Sequence, residues 1–228
     1  MSEVAFSVEG VLDALAAQRP LSPGGGRAIM FVSARRKEGV TTAACAVAKA
    51  VGPGATYALD LDLKRNALAK ALSEHGALGP KISGALNGAS FYSIHSVSNS
   101  LLHEAAPAFS YHRVGRSFVY AGVFDARTLP PRSRVSVSSS AEYWNAARAA
   151  GATVVVDAPS LDRSQIGLRV AKHMDGVVMV VGADHGAAPA AIAAKASLVA
   201  AGANIIGLVY AGATAPVMAI ERLARQIG

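Results

Sequence analysis

The stretch Ser33-Ala34-Arg35-Arg36-Lys37-Glu38-Gly39-Val40-Thr41-Thr42 decides how the rest of the chain is read. An apolar run, Ala28 to Val32, leads into it, and a small-residue helical stretch, TAACAVAKAV (42–51), leads out. Strand, turn and helix in that order is the setting of a phosphate-binding loop, where successive backbone N–H groups point inward and the helix N-terminus adds its positive end. Such loops read G-x-x-x-x-G-K-[ST]. Gly39 and Thr41 fit that form, Ala34 replaces the first glycine, and Val40 stands where lysine belongs. Taken alone the loop is a weak signal, because a glycine between a strand and a helix is common.

Two stretches downstream raise its weight. The next strand candidate ends Leu59-Asp60-Leu61-Asp62-Leu63-Lys64-Arg65, with carboxylates at alternate positions. Alternation puts Asp60 and Asp62 on one side of a strand end, where they could hold Mg²⁺ or orient water. Further on, Val154-Val155-Val156-Asp157-Ala158-Pro159 is an apolar strand closing on Asp157, the form of a magnesium-side carboxylate in nucleotide-hydrolysing enzymes. Met174-Asp175-Gly176-Val177 then opens another strand. Each alone reads equally well as a strand-end cap; their order makes the set specific.

The surrounding pattern agrees. Strands are expected at 28–33, 55–61, 117–122, 153–157, 177–182 and 205–210, and helices at 8–18, 41–51, 66–73, 139–150, 187–201 and 216–227. Runs apolar on both faces and separated by helices predict a mostly parallel sheet covered on both sides, a three-layer α/β arrangement. The region 84–116 has weak periodicity and reads as irregular, and 125–140, rich in Pro, Ser and Arg, reads as an exposed loop. No boundary divides the 228 residues, so one domain over 1–228 is expected.

Composition excludes some classes. The one cysteine, Cys45, precludes an intramolecular disulfide and the usual multi-cysteine zinc sites, and its place on the helix after the loop predicts core packing. The six histidines show no close ligand spacing and read as solvated or structural. Tyr143-Trp144 are expected to pack a helix onto the sheet. The formal charge of +7 permits an acidic partner without selecting one. The basic segment 112–134 reads as a solvated loop face, with a partner surface as the alternative. No signal design opens the chain, and the Ala-rich stretch from 187 to 219 is too interrupted for a membrane span, so a cytoplasmic protein is expected.

These motifs together resemble the bacterial tyrosine kinases of capsule and exopolysaccharide export, members of the deviant phosphate-loop class that includes partition and division-site ATPases. In those kinases the loop looks like S-x-x-P-G-E-G-K-[ST]-T; here Glu38, Gly39, Thr41 and Thr42 match, Arg36 and Lys37 replace Pro-Gly, and Val40 replaces lysine. Their I-D-A-D-L-R-R-P is similar to Leu59–Asn66, and their I-I-D-T-P-P and D-G-V are similar to Val155–Ser160 and Asp175–Val177. SGALNGAS (83–90) resembles a further family stretch, and the similarity spans roughly 27 to 212.

The resemblance implies a nucleotide site at Glu38, Gly39, Thr41 and Thr42, with Arg35 or Lys37 as candidate stand-ins for the lost lysine. It implies Mg²⁺ on Thr41, Asp62 and Asp157 if the metal binds at all. The lysine's role is to neutralise charge on the moving phosphoryl group, which Val40 cannot do. The kinases' tyrosine tail, their E-x-x-R-x-x-R ring motif and their base-reading asparagine are also missing from AIERLARQIG, VEGVLDALAAQR and Gly207–Ala211. Asp60, Asp62 and Asp157 are therefore vestigial catalytic candidates, expected to converge near Thr41 with Arg35, Lys37 or Lys64 offsetting their charge. The expected protein is a kinase-like, non-catalytic regulator of exopolysaccharide or capsule production, such as an adhesive polysaccharide. Its implied partner is a membrane polysaccharide co-polymerase that holds it at the inner membrane. Weak ATP or ADP binding with Mg²⁺ and self-association are left open, and nucleic acid is not expected. The alternatives are a residually active ATPase or tyrosine autokinase, and a partition-type ATPase on DNA or membrane.

Overall fold

A computed structural model describes residues 8–19, 21, 25–96, 108–183 and 187–211. In chain order its elements are α1 (Val8–Ala16), β1 (Arg27–Ser33), α2 (Val40–Ala50), β2 (Thr56–Asp60), α3 (Ala67–Ser73) and β3 (Leu78–Ser83). There follow β4 (Tyr92–Ser96), β5 (Phe109–Val114), β6 (Val119–Phe124), β7 (Ser133–Val137), α4 (Glu142–Ala149) and β8 (Thr153–Asp157). The last are α5 (Ile166–Val170), β9 (Gly176–Gly182), α6 (Ala187–Ala200) and β10 (Ile205–Ala211), with 3-10 turns at Ala126–Thr128 and Ala171–His173.

Eight strands form one sheet in the order β10-β9-β1-β8-β2-β6-β5-β3. From β10 to β6 neighbours run parallel; β5 and β3 add on antiparallel. Strands β4 and β7 pair antiparallel in a separate ribbon. The parallel strands are apolar on both sides because both sides are covered. Along β1, Ile29 and Phe31 face the core under α1, α2 and α3, while Ala28, Met30 and Val32 face the core under α4, α5 and α6. Successive side chains of a strand alternate faces, so one apolar run serves two layers. The three-layer α/β expectation is met.

The structure corrects the reading of two segments. The region 84–116, expected to be irregular, contains β4 and β5, and the expected loop 125–140 contains β7 and a 3-10 turn. These are antiparallel strands with one wet face, so serine, histidine and arginine interrupt their apolar residues. On β5 the inward residues are Phe109, Tyr111 and Val114, and the first two join a ring cluster with Phe91 and Tyr143. The hydroxyls of Tyr111 and Tyr143 hydrogen-bond to each other inside it. Tyr143 and Trp144 are buried on α4, and Cys45 is buried on α2, as expected. The helix expected at 216–227 lies outside the described residues.

One buried ion pair ties the start of β9 to α4. Arg148 Nε donates to Asp175 Oδ2 at 2.8 Å, with both side chains essentially inaccessible. Asp175 also accepts from the Leu21 N–H (2.9 Å) and the Ala28 N–H (2.7 Å), and Arg148 bonds to Asn145 Oδ1 and the His173 carbonyl. Such a pair is tolerable only because further hydrogen bonds satisfy both ions. Asp175 is thus a structural hub, away from the loop at the other end of the sheet.

Candidate functional site

The loop after β1 closes on itself. The Arg35 N–H donates to Glu38 Oε2 at 3.0 Å, and the Arg35 guanidinium meets Glu38 Oε1 at 3.1 Å, on a carboxylate only 5% exposed. Ser33 Oγ donates to the Arg35 carbonyl at 2.8 Å. Two residues take left-handed backbone angles, Lys37 at φ 62° and Gly39 at φ 87°. At Gly39 glycine adopts that angle without steric cost. It caps α2, whose first turn then begins at Val40. The first N–H groups of an α-helix have no partner within the helix, and Gly39, Val40 and Thr41 at this end of α2 line the space the loop encloses.

That space is a cavity of about 440 Å³ lined by loop residues 36–41 and by Asp60, Asp62, Asp157 and Arg163, among others. The three carboxylates do converge there with Thr41. Register explains part of it: on adjacent parallel strands Asp60 is the direct partner of Asp157. Thr41 Oγ1 donates to Asp157 Oδ2 at 2.6 Å. Asp60 is occupied by backbone, accepting from the Asp62 N–H (2.7 Å) and the Ala67 N–H (2.8 Å), and so shapes the turn into α3. Asn66 locks that turn to the end of β6. Its amide donates to the Phe124 carbonyl and accepts from the Phe124 N–H.

Burial and like charge act on the carboxylates together. Desolvation pushes Asp157 up to about 8, the neighbouring Asp60 charge adding to it and the Thr41 hydrogen bond opposing it. Desolvation raises Asp60 to about 6 against the pull of its backbone donors. Asp157 is the better proton holder: desolvation dominates both shifts, and a single hydroxyl opposes it at Asp157 where several backbone N–H groups oppose it at Asp60.

The cations differ from the expectation. Arg35 is engaged with Glu38 and does not line the cavity, and neither Lys37 nor Lys64 forms an ion pair with the carboxylates among the described residues. Asp62 instead lies 2.5 Å from Arg163 and 3.4 Å from Arg65. Arg163 was missed in the sequence; the one signal for it is a basic residue in the short loop leaving Asp157. Arg65 was visible as part of the second motif. Glu38, assigned to nucleotide by resemblance, lines the cavity and also braces the loop through Arg35. Thr42 is exposed and outside the cavity lining. Lys37, Gly39, Val40 and Thr41 line it.

A magnesium ion fits only in part. Among the described residues no group of three or more His, Cys, Asp or Glu side chains is placed to hold a metal. Asp62 Oδ2 is buried without a hydrogen-bond partner, but Arg163 and Arg65 already stand at ion-pair distance from it and offset its charge. Mg²⁺ keeps water and phosphate oxygens as most of its ligands in such sites, so Thr41 and one carboxylate would be enough.

No family model and no curated protein matches the sequence. Among solved structures, the chimerical protein CapA2B2 aligns with a TM-score of 0.51 at 16% identity, over 92% of this chain and 84% of that one. The kinase domain of the Escherichia coli tyrosine kinase ETK aligns at 0.47 and 16% identity, over 84% and 69% of the two chains. The kinase domain of VpsO aligns at 0.47 and 18%, over 92% and 100%. The chain shares with CapA2B2 its three-layer α/β fold. At these identities the likeness is one of fold.

Proposed function

We propose that this protein is a kinase-fold regulator without phosphoryl-transfer activity. In this reading it serves exopolysaccharide or capsule production, held at the inner membrane by a membrane polysaccharide co-polymerase. Val40 carries the reading. It lines the phosphate cavity at the first position of α2, where the kinases place lysine, and an aliphatic side chain there cannot neutralise the charge of a departing phosphoryl group. Arg36 and Lys37 also line the cavity but are exposed on the loop, where solvent weakens their field. The membrane role rests on the motif resemblance; among the described residues no helix is long and apolar enough to cross a bilayer.

Calorimetric titration with ATP and ADP, with and without Mg²⁺, tests the site, and a hydrolysis and autophosphorylation assay tests the chemistry. The expected results are weak or no binding and no turnover. Robust turnover abolished by Asp157→Ala would overturn the reading and make the loop a rewritten active site. Salt-sensitive binding to non-specific DNA would favour a partition-type ATPase instead.

A further inference from the structure

A second cavity, of about 720 Å³, lies beyond the Asp62–Arg163 ion pair. It opens between the turn after β2, the end of β6, β7 and the loop after β8. Its floor is apolar: Leu63, Leu129, Val135 and Ile166 line it, each half-buried against the core. Its rim is basic. Lys64, Arg134 and Arg163 line it together with one carboxylate, Asp62, which already has Arg65 and Arg163 at ion-pair distance. Lys64 and Arg134 have no ion-pair partner among the described residues. In the wall, Ser133 Oγ is buried without a hydrogen-bond partner, a state that a ligand acceptor would relieve. Volume, apolar floor and a few convergent polar groups are the attributes of a small-molecule site.

We propose that this cavity binds a small amphiphilic anion, with an aryl or alkyl body on the Leu63–Leu129–Val135–Ile166 floor and a phosphate- or sulfonate-like head held by Lys64, Arg134 and Arg163. The charge count selects the sign of the ligand, because a cation would meet three basic side chains and a neutralised carboxylate. The floor selects an apolar body, because a free inorganic anion would leave it wet. The site adjoins the phosphate-loop cavity and shares Asp62, Pro159 and Arg163 with it, but other basic residues are separate: Lys64 and Arg134 line only the second cavity, and Lys37 lines only the first.

The separation makes the test specific. The probe is 8-anilinonaphthalene-1-sulfonate, an aryl body with one anionic head, titrated into the full chain and read by fluorescence. Saturable binding is expected, weakened about tenfold by Arg134→Glu and by Lys64→Glu, the scale of one lost charge-assisted contact. Both side chains are exposed, so unchanged melting curves confirm folding. Lys37→Glu should leave binding unchanged, and Leu129→Trp, which fills the floor, should abolish it. N-phenyl-1-naphthylamine, the uncharged counterpart, should bind at least tenfold more weakly. Displacement by phenyl phosphate or by octyl phosphate supports the site and tells an aryl body from an alkyl one. The proposal fails if neither displaces the probe or if the uncharged compound binds as tightly. It also fails if Lys37→Glu weakens binding while Arg134→Glu does not, because the probe would then occupy the phosphate loop.

Discussion

Replacing Asp157 with Asn should stabilise the protein above neutral pH and flatten the dependence of its stability on pH. Asp157 is 4% exposed, lies beside Asp60 on the neighbouring strand, and has one donor, Thr41, among the described residues. Its carboxyl is raised to about 8 and that of Asp60 to about 6, burial being the larger cause in both. The folded state therefore keeps a proton that the unfolded chain has released by about pH 4. Stability is then fullest at or below the unfolded value and falls as pH rises toward the folded one. The slope is at most about 1.4 kcal/mol per pH unit for one retained proton. Between pH 6 and 8 the loss from Asp157 alone is about 2–3 kcal/mol, or about 4–12 °C in melting temperature for a chain of this size. Asparagine keeps an acceptor for Thr41 and has no charge to desolvate, so the variant should melt higher than the parent at pH 8 and nearly level with it at pH 5. Thermal melts at half-unit intervals from pH 5 to 8.5 measure both. Parallel profiles for the two proteins, or a variant less stable at pH 8, would refute the account of the carboxylate cluster.

Three further outcomes are expected. Val40→Lys should tighten ATP binding roughly 10- to 100-fold by calorimetry, the scale of one charge-assisted contact of about 1.5–3 kcal/mol, and no change would mean the pocket does not accept phosphates. Asn66→Pro, which installs the residue the kinases carry, should cost about 2–4 kcal/mol in urea unfolding, because proline cannot adopt φ 49° and both Phe124 hydrogen bonds are lost. Arg148→Met should cost about 3–5 kcal/mol by leaving the Asp175 charge buried without its cation, and Arg148→Met with Asp175→Asn should recover part of that loss.

The parallel core was legible because its strands are continuous apolar runs. AIMFVS, TVVVD and VVMVVG carry no competing signal, and β1, β8 and β9 fall where those runs stand. Strands β3, β4, β5 and β7 were not legible. LGPKIS holds glycine and proline, and YSIHS, FSYHRV and SRVSV alternate apolar with polar residues over too few positions to separate strand from loop. At the site the positions of Gly39, Thr41, Asp60, Asp62 and Asp157 could be read, but not the partners. Nothing in sequence says that Glu38 turns inward to Arg35 or that Asp60 accepts two backbone N–H groups. The pairing of Arg163 with Asp62 depends on two loops, one after β2 and one after β8, meeting above strands that are distant in sequence.

Those partners bear on why the loop keeps its shape without lysine. In a working phosphate loop the bound anion organises the backbone; here the protein's own side chains do so. Arg35 and Glu38 close the turn, Thr41 gives its hydroxyl to Asp157, Asp60 holds the turn into α3, and Asp62 takes Arg65 and Arg163. A hydrogen bond is worth about 0.5–1.5 kcal/mol net, so a few of them can hold the conformation that a nucleotide would otherwise stabilise. A nucleotide carrying Mg²⁺ would have to share or displace the Thr41–Asp157 contact, and it would do so without the lysine contact that makes such exchanges favourable elsewhere. The loop is therefore shaped without a ligand, and the proposed function predicts that it binds phosphate weakly and offers a partner one fixed surface rather than a nucleotide cycle.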